Sequence, residues 1–176
     1  MKVRIATIVC FILLFSCKEP EARRPKGHGT QNFYKEILEK SKKLNSLEKK
    51  RLEKWIVQDT VNDYKLSPLG FWYMYHVKDT VDTTTPKLED VVQIAFDITS
   101  MSGDTLYNKQ ERTYKVDKED FVPGLQDGIK LMKKGETITF VIPSYVAFGV
   151  SGDGNKIGIN QPIKSTVTLI DIKSSN

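Results

Sequence analysis

The residues best placed to do chemistry lie between positions 121 and 149, and they provide neither a nucleophile nor a set of metal ligands. The chain has only two histidines, His28 and His76, so no Ser-His-Asp order can be argued. The glycine-rich run that follows lacks the Lys-Ser/Thr ending of a phosphate-binding loop. Asp153 and Asn155, in that run, are too few ligands for a calcium loop. The sequence therefore predicts no metal and no cofactor.

Four short motifs in this stretch follow one another in order. They are Phe121-Val122-Pro123-Gly124-Leu125-Gln126-Asp127-Gly128, Gly135-Glu136, Ile142-Pro143 and Ala147-Phe148-Gly149. They resemble the FKBP-type peptidyl-prolyl isomerases, whose hallmarks read V-I-P-G-[WL]-x-x-G, K-G-[ED], I-P and A-Y-G. The resemblance covers about residues 69–176 and includes a strand and hairpin at 90–103. It implies an FKBP-like α+β domain with an apolar pocket that turns X-Pro bonds in polypeptide clients.

The resemblance also implies which residues form the pocket. They are Phe96, Leu106, Tyr107, Phe121, Val122, Leu125, Phe148, Ile159 and Ile170. The backbone N–H of Val122 falls on the family's donor to the substrate carbonyl. On the last strand we choose Ile170 over Leu169, because the other register would turn the Asp171 carboxylate into the core, where an unpaired charge is costly.

Such a pocket would act without proton transfer. An X-Pro amide is held planar by resonance, with a rotation barrier of ~18–20 kcal/mol. Twisting the bond breaks the resonance and reduces its charge separation, so a water-poor apolar wall favours the twisted form over the planar one. The resemblance therefore implies an isomerase that needs no general base.

Three pocket positions depart from the family pattern. Phe96 and Phe148 replace tyrosines and Tyr107 replaces an aspartate, so two hydroxyls and a carboxylate are lost. We expect macrolide binding to suffer more than proline turnover, because those drugs use the polar groups directly, and we expect turnover to be weak. The alternative is a non-catalytic FKBP-like chaperone or scaffold module in a secretion or motility machine.

Hydrophobic periodicity predicts the elements that hold this pocket. Strands are expected at 71–77, 91–99, 114–116, 137–142 and 166–172, with a short helix at 124–132 that Gly135 ends. The prediction is an antiparallel five-stranded sheet wrapped on one short helix within residues 67–176. Residues 31–66 form a helical segment, with a second helix starting at a capping-box pattern, Asn45 to Glu48. Their apolar stripes could pack on the main domain, on each other or on a partner helix. We favour intramolecular packing, and a monomer, over a dimerising arm.

The first residues read as an export signal. Lys2 and Arg4 precede an apolar run at 5–15, too short for a permanent membrane span, and the run ends at Ser16-Cys17. This resembles a bacterial lipoprotein box, so residues 1–17 are a signal peptide with a lipidated Cys17, and residues 18–30 are a flexible tether. A plain signal peptide with an incidental cysteine is the alternative. The protein is then anchored to a membrane in the cell envelope and faces the periplasm.

The charge distribution argues against a nucleic-acid partner. The net charge is +5, but residues 1–30 carry +4, residues 31–66 carry +3 and residues 67–176 carry −2. The main domain therefore offers no basic surface for phosphates. Within the family, the run Gly70-Phe71-Trp72-Tyr73-Met74-Tyr75 is similar to the gliding-motility-associated isomerase lipoproteins of gliding bacteria.

Overall fold

The computed structural model of the chain describes residues 30–81 and 83–175. The elements in chain order are helix α1 (Thr30–Gln58), strands β1 (Lys65–Leu66), β2 (Trp72–Val77), β3 (Val91–Thr99) and β4 (Thr105–Lys115), helix α2 (Pro123–Ile129), strand β5 (Thr137–Ile142), a 3₁₀ helix (Ser144–Val146) and strand β6 (Ile163–Lys173). The predicted signal peptide, Cys17 and all but the last residue of the tether lie outside the described residues.

The strands form one antiparallel sheet in the order β1-β2-β5-β6-β3-β4. The predicted α+β class is confirmed, and the sheet is larger than expected because the two-residue strand β1 pairs with β2. Strand β4 is also longer than the predicted 114–116. Its middle is polar and exposed, which suits an edge strand with one solvated face but hides it from hydrophobic periodicity.

Helix α2 packs into the inner face of the sheet, where Leu125 and Ile129 are completely buried. Gly128 permits this approach, because a Cβ atom there would lie 2.7 Å from the ring of Phe140. The helix ends at Ile129, earlier than predicted. Gly135 is not its cap: it has a positive φ of 84° in the turn before β5, a conformation that suits glycine.

One continuous helix, α1, replaces the two helices predicted for residues 31–59. The capping-box pattern at Asn45 is not used, since no glycine or proline between Thr30 and Gln58 interrupts the helix. The chain divides into two compact units after Lys40. In the second unit the end of α1 packs on the domain, with Leu52 buried against Trp72 and Val141 on the outer face of the sheet.

The apolar stripe at the start of α1 is exposed, unlike the stripe at its end. The described side chains of Phe33, Ile37 and Leu38 are each about half exposed or more. Within the second unit the helical segment packs intramolecularly, and Trp55 and Ile56 join the cluster around Leu52.

Register shifts change the faces of two strands. Between Phe96 and Thr99 of β3, strand β4 contains extra residues, and Leu106 has no partner across the ladder. Strand β6 likewise has one extra residue, Ile170, because Gln93 pairs with Asp171 while the next residue of β3 pairs with Leu169. Such bulges interrupt the alternation of side chains along a strand.

On the last strand it is Leu169, and not our choice Ile170, that turns to the inner face of the sheet. Leu169 is completely buried in the main core, whereas Ile170 is the bulged residue and lies outside that cluster. The bulge removes the objection to this register, because Asp171 does not enter the core. Its carboxylate forms an ion pair with Lys134 at 2.6 Å on the surface.

Candidate functional site

A cavity of about 550 Å³ opens where β3 and β4 meet the start of α2 and the segment after the 3₁₀ helix. Its lining is mainly apolar with a polar edge. The lining residues are Phe96, Ile98, Tyr107, Gln110, Arg112, Asp120, Phe121, Val122, Pro123, Ala147, Phe148, Asp153 and Asn155. The cavity is thus lined by residues of the first and last of the four motifs between positions 121 and 149, together with residues of β3, β4 and the loop that follows the last motif.

Within the apolar wall, the ring of Phe121 contacts two aromatic rings and a guanidinium group. Its ring meets Phe96 edge to face with centroids 5.2 Å apart, and Tyr114 lies against it at 5.6 Å. The guanidinium of Arg112 lies 4.7 Å from the ring centroid and donates a hydrogen bond of 2.9 Å to the carbonyl of Asp120. These aromatic and cation–π contacts stabilise the position of the Phe121 ring beyond what its burial contributes.

The polar edge is organised by the flap loop, which we define as residues 149–158. The hydroxyl of Tyr107 on β4 donates a hydrogen bond to Asp153 Oδ2 in this loop. The other carboxylate oxygen accepts from the backbone N–H groups of Asn155, at 2.9 Å, and Ile157, at 2.8 Å. The carboxylate that position 107 lacks is therefore supplied to the cavity by a residue 46 positions later.

These contacts shift the pKa values of Asp153 and Tyr107 in opposite directions, and both shifts favour the hydrogen bond between them. Partial desolvation works against ionisation of Asp153, but hydrogen bonds from Tyr107 and from the backbone of Ile157 and Asn155 outweigh it and lower the pKa of Asp153. The hydrogen bond to Asp153, with some desolvation, raises the pKa of Tyr107. The neutral hydroxyl and the ionised carboxylate therefore coexist between the ordinary pKa values of about 4 for Asp and about 10 for Tyr.

Removing the Tyr107 hydroxyl is expected to loosen the flap loop. In Tyr107→Phe, trypsin should cleave after Lys156, inside the loop, several-fold faster than in the wild type. Tyr145→Phe, on the neighbouring turn and outside the cavity lining, is the matched control. Equal cleavage rates in Tyr107→Phe and the wild type would show that the Tyr107–Asp153 hydrogen bond does not hold the flap loop.

The lowered pKa of Asp153 predicts how the stability of the flap loop depends on pH. A carboxylate with a lowered pKa stabilises the folded loop above the unfolded pKa of about 4, and this contribution is lost as pH falls through the folded value. The amide resonance of Ile157 should therefore titrate with a midpoint below about 4 in the wild type.

Five of the predicted site residues line the cavity: Phe96, Tyr107, Phe121, Val122 and Phe148. Leu106, Leu125, Ile159 and Ile170 do not. Leu106 is partly buried against the core at the β4 bulge, and Leu125 is completely buried in the core. Ile159 is 69% exposed, and it is Ile157 that is buried, because the flap loop folds back through Asp153.

The sequence interpretation missed Gln110, Arg112 and Asp153. Gln110 pairs with Phe96 of β3 and Arg112 pairs with Ile94, so both lie on the same face as these buried residues. Asp153 had a local signal, since an aspartate two residues before an asparagine in a glycine-rich turn commonly accepts backbone N–H bonds. Its partner Tyr107 had no such signal in the sequence.

The described residues include no group of three or more His, Cys, Asp or Glu side chains arranged to hold a metal ion. In the same part of the chain, no helix combines the length and the apolar character that crossing a bilayer requires.

Comparison with known proteins agrees with this geometry. The model of the family described as FKBP-type peptidyl-prolyl cis-trans isomerase matches residues 82–170. The chain is 25% identical over 160 residues to the probable FKBP-type peptidyl-prolyl cis-trans isomerase FkpA of Neisseria meningitidis serogroup B, a match that covers 88% of this chain and 57% of the relative. The chain thus spans less than two thirds of the length of this curated relative.

Solved structures share the fold. The crystal structure of FkpA from Escherichia coli superposes with a TM-score of 0.61 at 24% identity, covering 81% of this chain and 65% of that one. The peptidyl-prolyl cis-trans isomerase of Pseudomonas syringae pv. tomato superposes with a TM-score of 0.60 at 18% identity, covering 73% and 96%. The predicted FKBP-like fold is confirmed.

Proposed function

Since the chain belongs to the FKBP-type peptidyl-prolyl cis-trans isomerase family, whose model covers half of its length, we propose that it catalyses cis-trans isomerisation of X-Pro bonds in polypeptides. The single observation that carries the proposal is the mainly apolar cavity lined by Phe96, Phe121, Phe148 and Val122. A cavity of about 550 Å³ accommodates a proline ring with its neighbouring residues.

The chemistry proposed for the cavity is binding rather than bond breaking. Phe96, Phe121 and Phe148 form a water-poor wall that favours the twisted amide, because twisting reduces the charge separation of the bond. The backbone N–H of Val122 donates no hydrogen bond to another described residue. It is therefore the donor that we assign to the substrate carbonyl, as the family resemblance implies.

The polar edge gives the site a second kind of contact. Asp153 Oδ2 and the Tyr107 hydroxyl lie together on one side of the cavity, and Arg112 lies on β4 beside Phe121. Tyr107 and Arg112 both line the cavity and add to it polar groups that water can solvate. This arrangement supports the expectation of weak turnover and weak macrolide binding.

The test is a protease-coupled isomerisation assay on the full chain in mild detergent, with a proline-containing tetrapeptide as the substrate. Acceleration proportional to protein concentration supports the proposal. Binding of the peptide without acceleration would instead support the alternative, a non-catalytic chaperone or scaffold module, and absence of both would contradict both functions.

We further propose that the clients are exported or envelope proteins, and that the chain works as a lipid-anchored monomer facing the periplasm. The positive residues Lys2 and Arg4, the apolar run at 5–15 and Cys17 support the anchor. Packing of Leu52 on its own sheet supports the monomer. Gliding-motility components are included among the clients on the strength of the similarity at Gly70–Tyr75.

Replacing the proposed lipidation site is expected to release the protein from membranes or to block its maturation. In Cys17→Ser, no thiol is present to accept the lipid, so the mature protein should leave the membrane fraction or the precursor should accumulate. Cys10→Ser is the matched control, since Cys10 lies within the apolar run and should leave with the signal. Wild-type processing and membrane fractionation of Cys17→Ser would refute the anchor.

A further inference from the structure

A carboxylate on the N-terminal helix holds the turn that leads into the cavity wall. Glu48 lies on α1, and its Oε1 accepts the backbone N–H of Ser144 at 2.6 Å while its Oε2 accepts the Ser144 hydroxyl at 2.6 Å. Ser144 is only 2% exposed, so both of its donors are satisfied by one residue that lies 96 positions earlier. Hydrogen bonds to an ionised acceptor are stronger than those between neutral groups.

The helix is seated so that this contact is fixed. Leu52, one helical turn after Glu48, is buried against Trp72 and Val141 on the outer face of the sheet. Val141 lies three residues before Ser144, at the end of β5. The same helix face therefore supplies an apolar anchor and the carboxylate, and the 3₁₀ helix Ser144–Val146 begins at the carboxylate.

Ser144 is in turn hydrogen-bonded to the segment that lines the cavity. Its carbonyl accepts hydrogen bonds from the backbone N–H groups of Ala147, at 3.0 Å, and Gly149, at 2.8 Å. These two residues bracket Phe148, and both Ala147 and Phe148 line the cavity. One continuous set of hydrogen bonds thus runs from Glu48 through Ser144 to the backbone on either side of Phe148.

We propose that Glu48 is a positioning residue of the isomerase site, and that the part of α1 that carries Glu48 and Leu52 therefore belongs to the working domain rather than to a spacer. The inference rests on the proposed isomerase function. Loss of the Glu48 carboxylate leaves the N–H and hydroxyl of Ser144 without their acceptor inside the protein, so the turn relaxes and the Phe148 ring leaves its place against the substrate. Small displacements of positioned groups are costly for turnover.

The experiment compares Glu48→Ala, Glu48→Gln, Ser144→Ala and the double variant Glu48→Ala/Ser144→Ala in the full chain in mild detergent. Glu53→Gln is the matched control, because Glu53 lies on the same helix with its side chain exposed. Three quantities are measured for each: kcat and KM on a proline tetrapeptide, the thermal unfolding midpoint, and the amide resonances of Ala147, Phe148 and Gly149.

We expect Glu48→Ala to lower kcat/KM about tenfold, mainly through kcat, with the control at the wild-type value. Glu48→Gln should lie between them, since its amide nitrogen cannot accept the second hydrogen bond. The double variant should resemble Glu48→Ala, because both changes remove the same link. If Glu48→Ala is unfolded, the isosteric Glu48→Gln carries the comparison.

Two outcomes overturn the proposal. One is wild-type kcat/KM and unshifted amide resonances at 147–149 in a folded Glu48 variant. The other is a loss of kcat that disappears when every variant is assayed equally far below its unfolding midpoint, because that would show a general loss of stability. If the wild type has no turnover, the isomerase function fails, while the amide resonances still decide whether Glu48 positions the Phe148 segment.

Discussion

Replacing Phe148 with alanine is expected to lower kcat/KM for proline peptides by about tenfold or more, with the overall fold retained. Phe148 is partly exposed and lines the cavity, so truncation removes wall contacts and admits water without opening a hole in the main core. Water restores the dielectric that favours the planar, charge-separated amide. The measurement is a steady-state isomerisation assay, with far-ultraviolet circular dichroism and thermal unfolding beside it.

Val150→Ala is the matched control for this variant. Val150 is 76% exposed, lies two residues away and does not line the cavity. Its kcat/KM should equal that of the wild type. If Phe148→Ala also keeps wild-type turnover and a native circular dichroism spectrum, Phe148 is not part of the reacting wall.

Replacing Val122 with proline is expected to lower kcat/KM by a similar factor, in this case by removing a hydrogen-bond donor. Proline removes the backbone N–H that we assign to the substrate carbonyl, and it does so at a residue whose φ of −58° already fits the pyrrolidine ring. One hydrogen bond is worth about 0.5–1.5 kcal/mol, so kcat/KM should fall up to about tenfold. The ring also occupies the space where the carbonyl would approach.

Val122→Ala separates the backbone effect from the side chain. It removes the valine methyl groups but retains the N–H, so its turnover should stay closer to the wild type than that of Val122→Pro. Because the Val122 N–H bonds no other described residue, the proline variant should unfold within a few degrees of the alanine variant. Equal turnover in both variants would show that the N–H is not the substrate's donor.

The sequence by itself determined the class of the domain and the approximate place of the apolar cavity that forms its candidate site. Alternation along 91–99 predicts a strand that the structure contains with the same bounds, and the strand expected at 137–142 also has the expected bounds. The ordered motifs between 121 and 149 place Phe121, Val122 and Phe148 around one cavity. These properties are local: period-two patterns and short turn motifs are written in neighbouring residues, and burial then selects the inward face.

The tertiary structure decided which side chains complete the cavity. Extra residues in β4 at Leu106 and in β6 at Ile170 shift the alternation, and pairing with β3 sets where these shifts occur. A period-two pattern carried through such a position assigns the wrong face, as happened with Ile170. Tertiary packing also brings Tyr107 to Asp153 and Glu48 to Ser144, where they form hydrogen bonds.

These pairs bring together polar groups 46 and 96 residues apart. No local pattern encodes such a distance, because nothing in the neighbouring sequence of one residue identifies its distant partner. They meet only when the sheet closes, the flap loop folds back and α1 is seated by Leu52. The sequence therefore determined the apolar wall, whereas long-range packing determined the polar edge and the support behind Phe148.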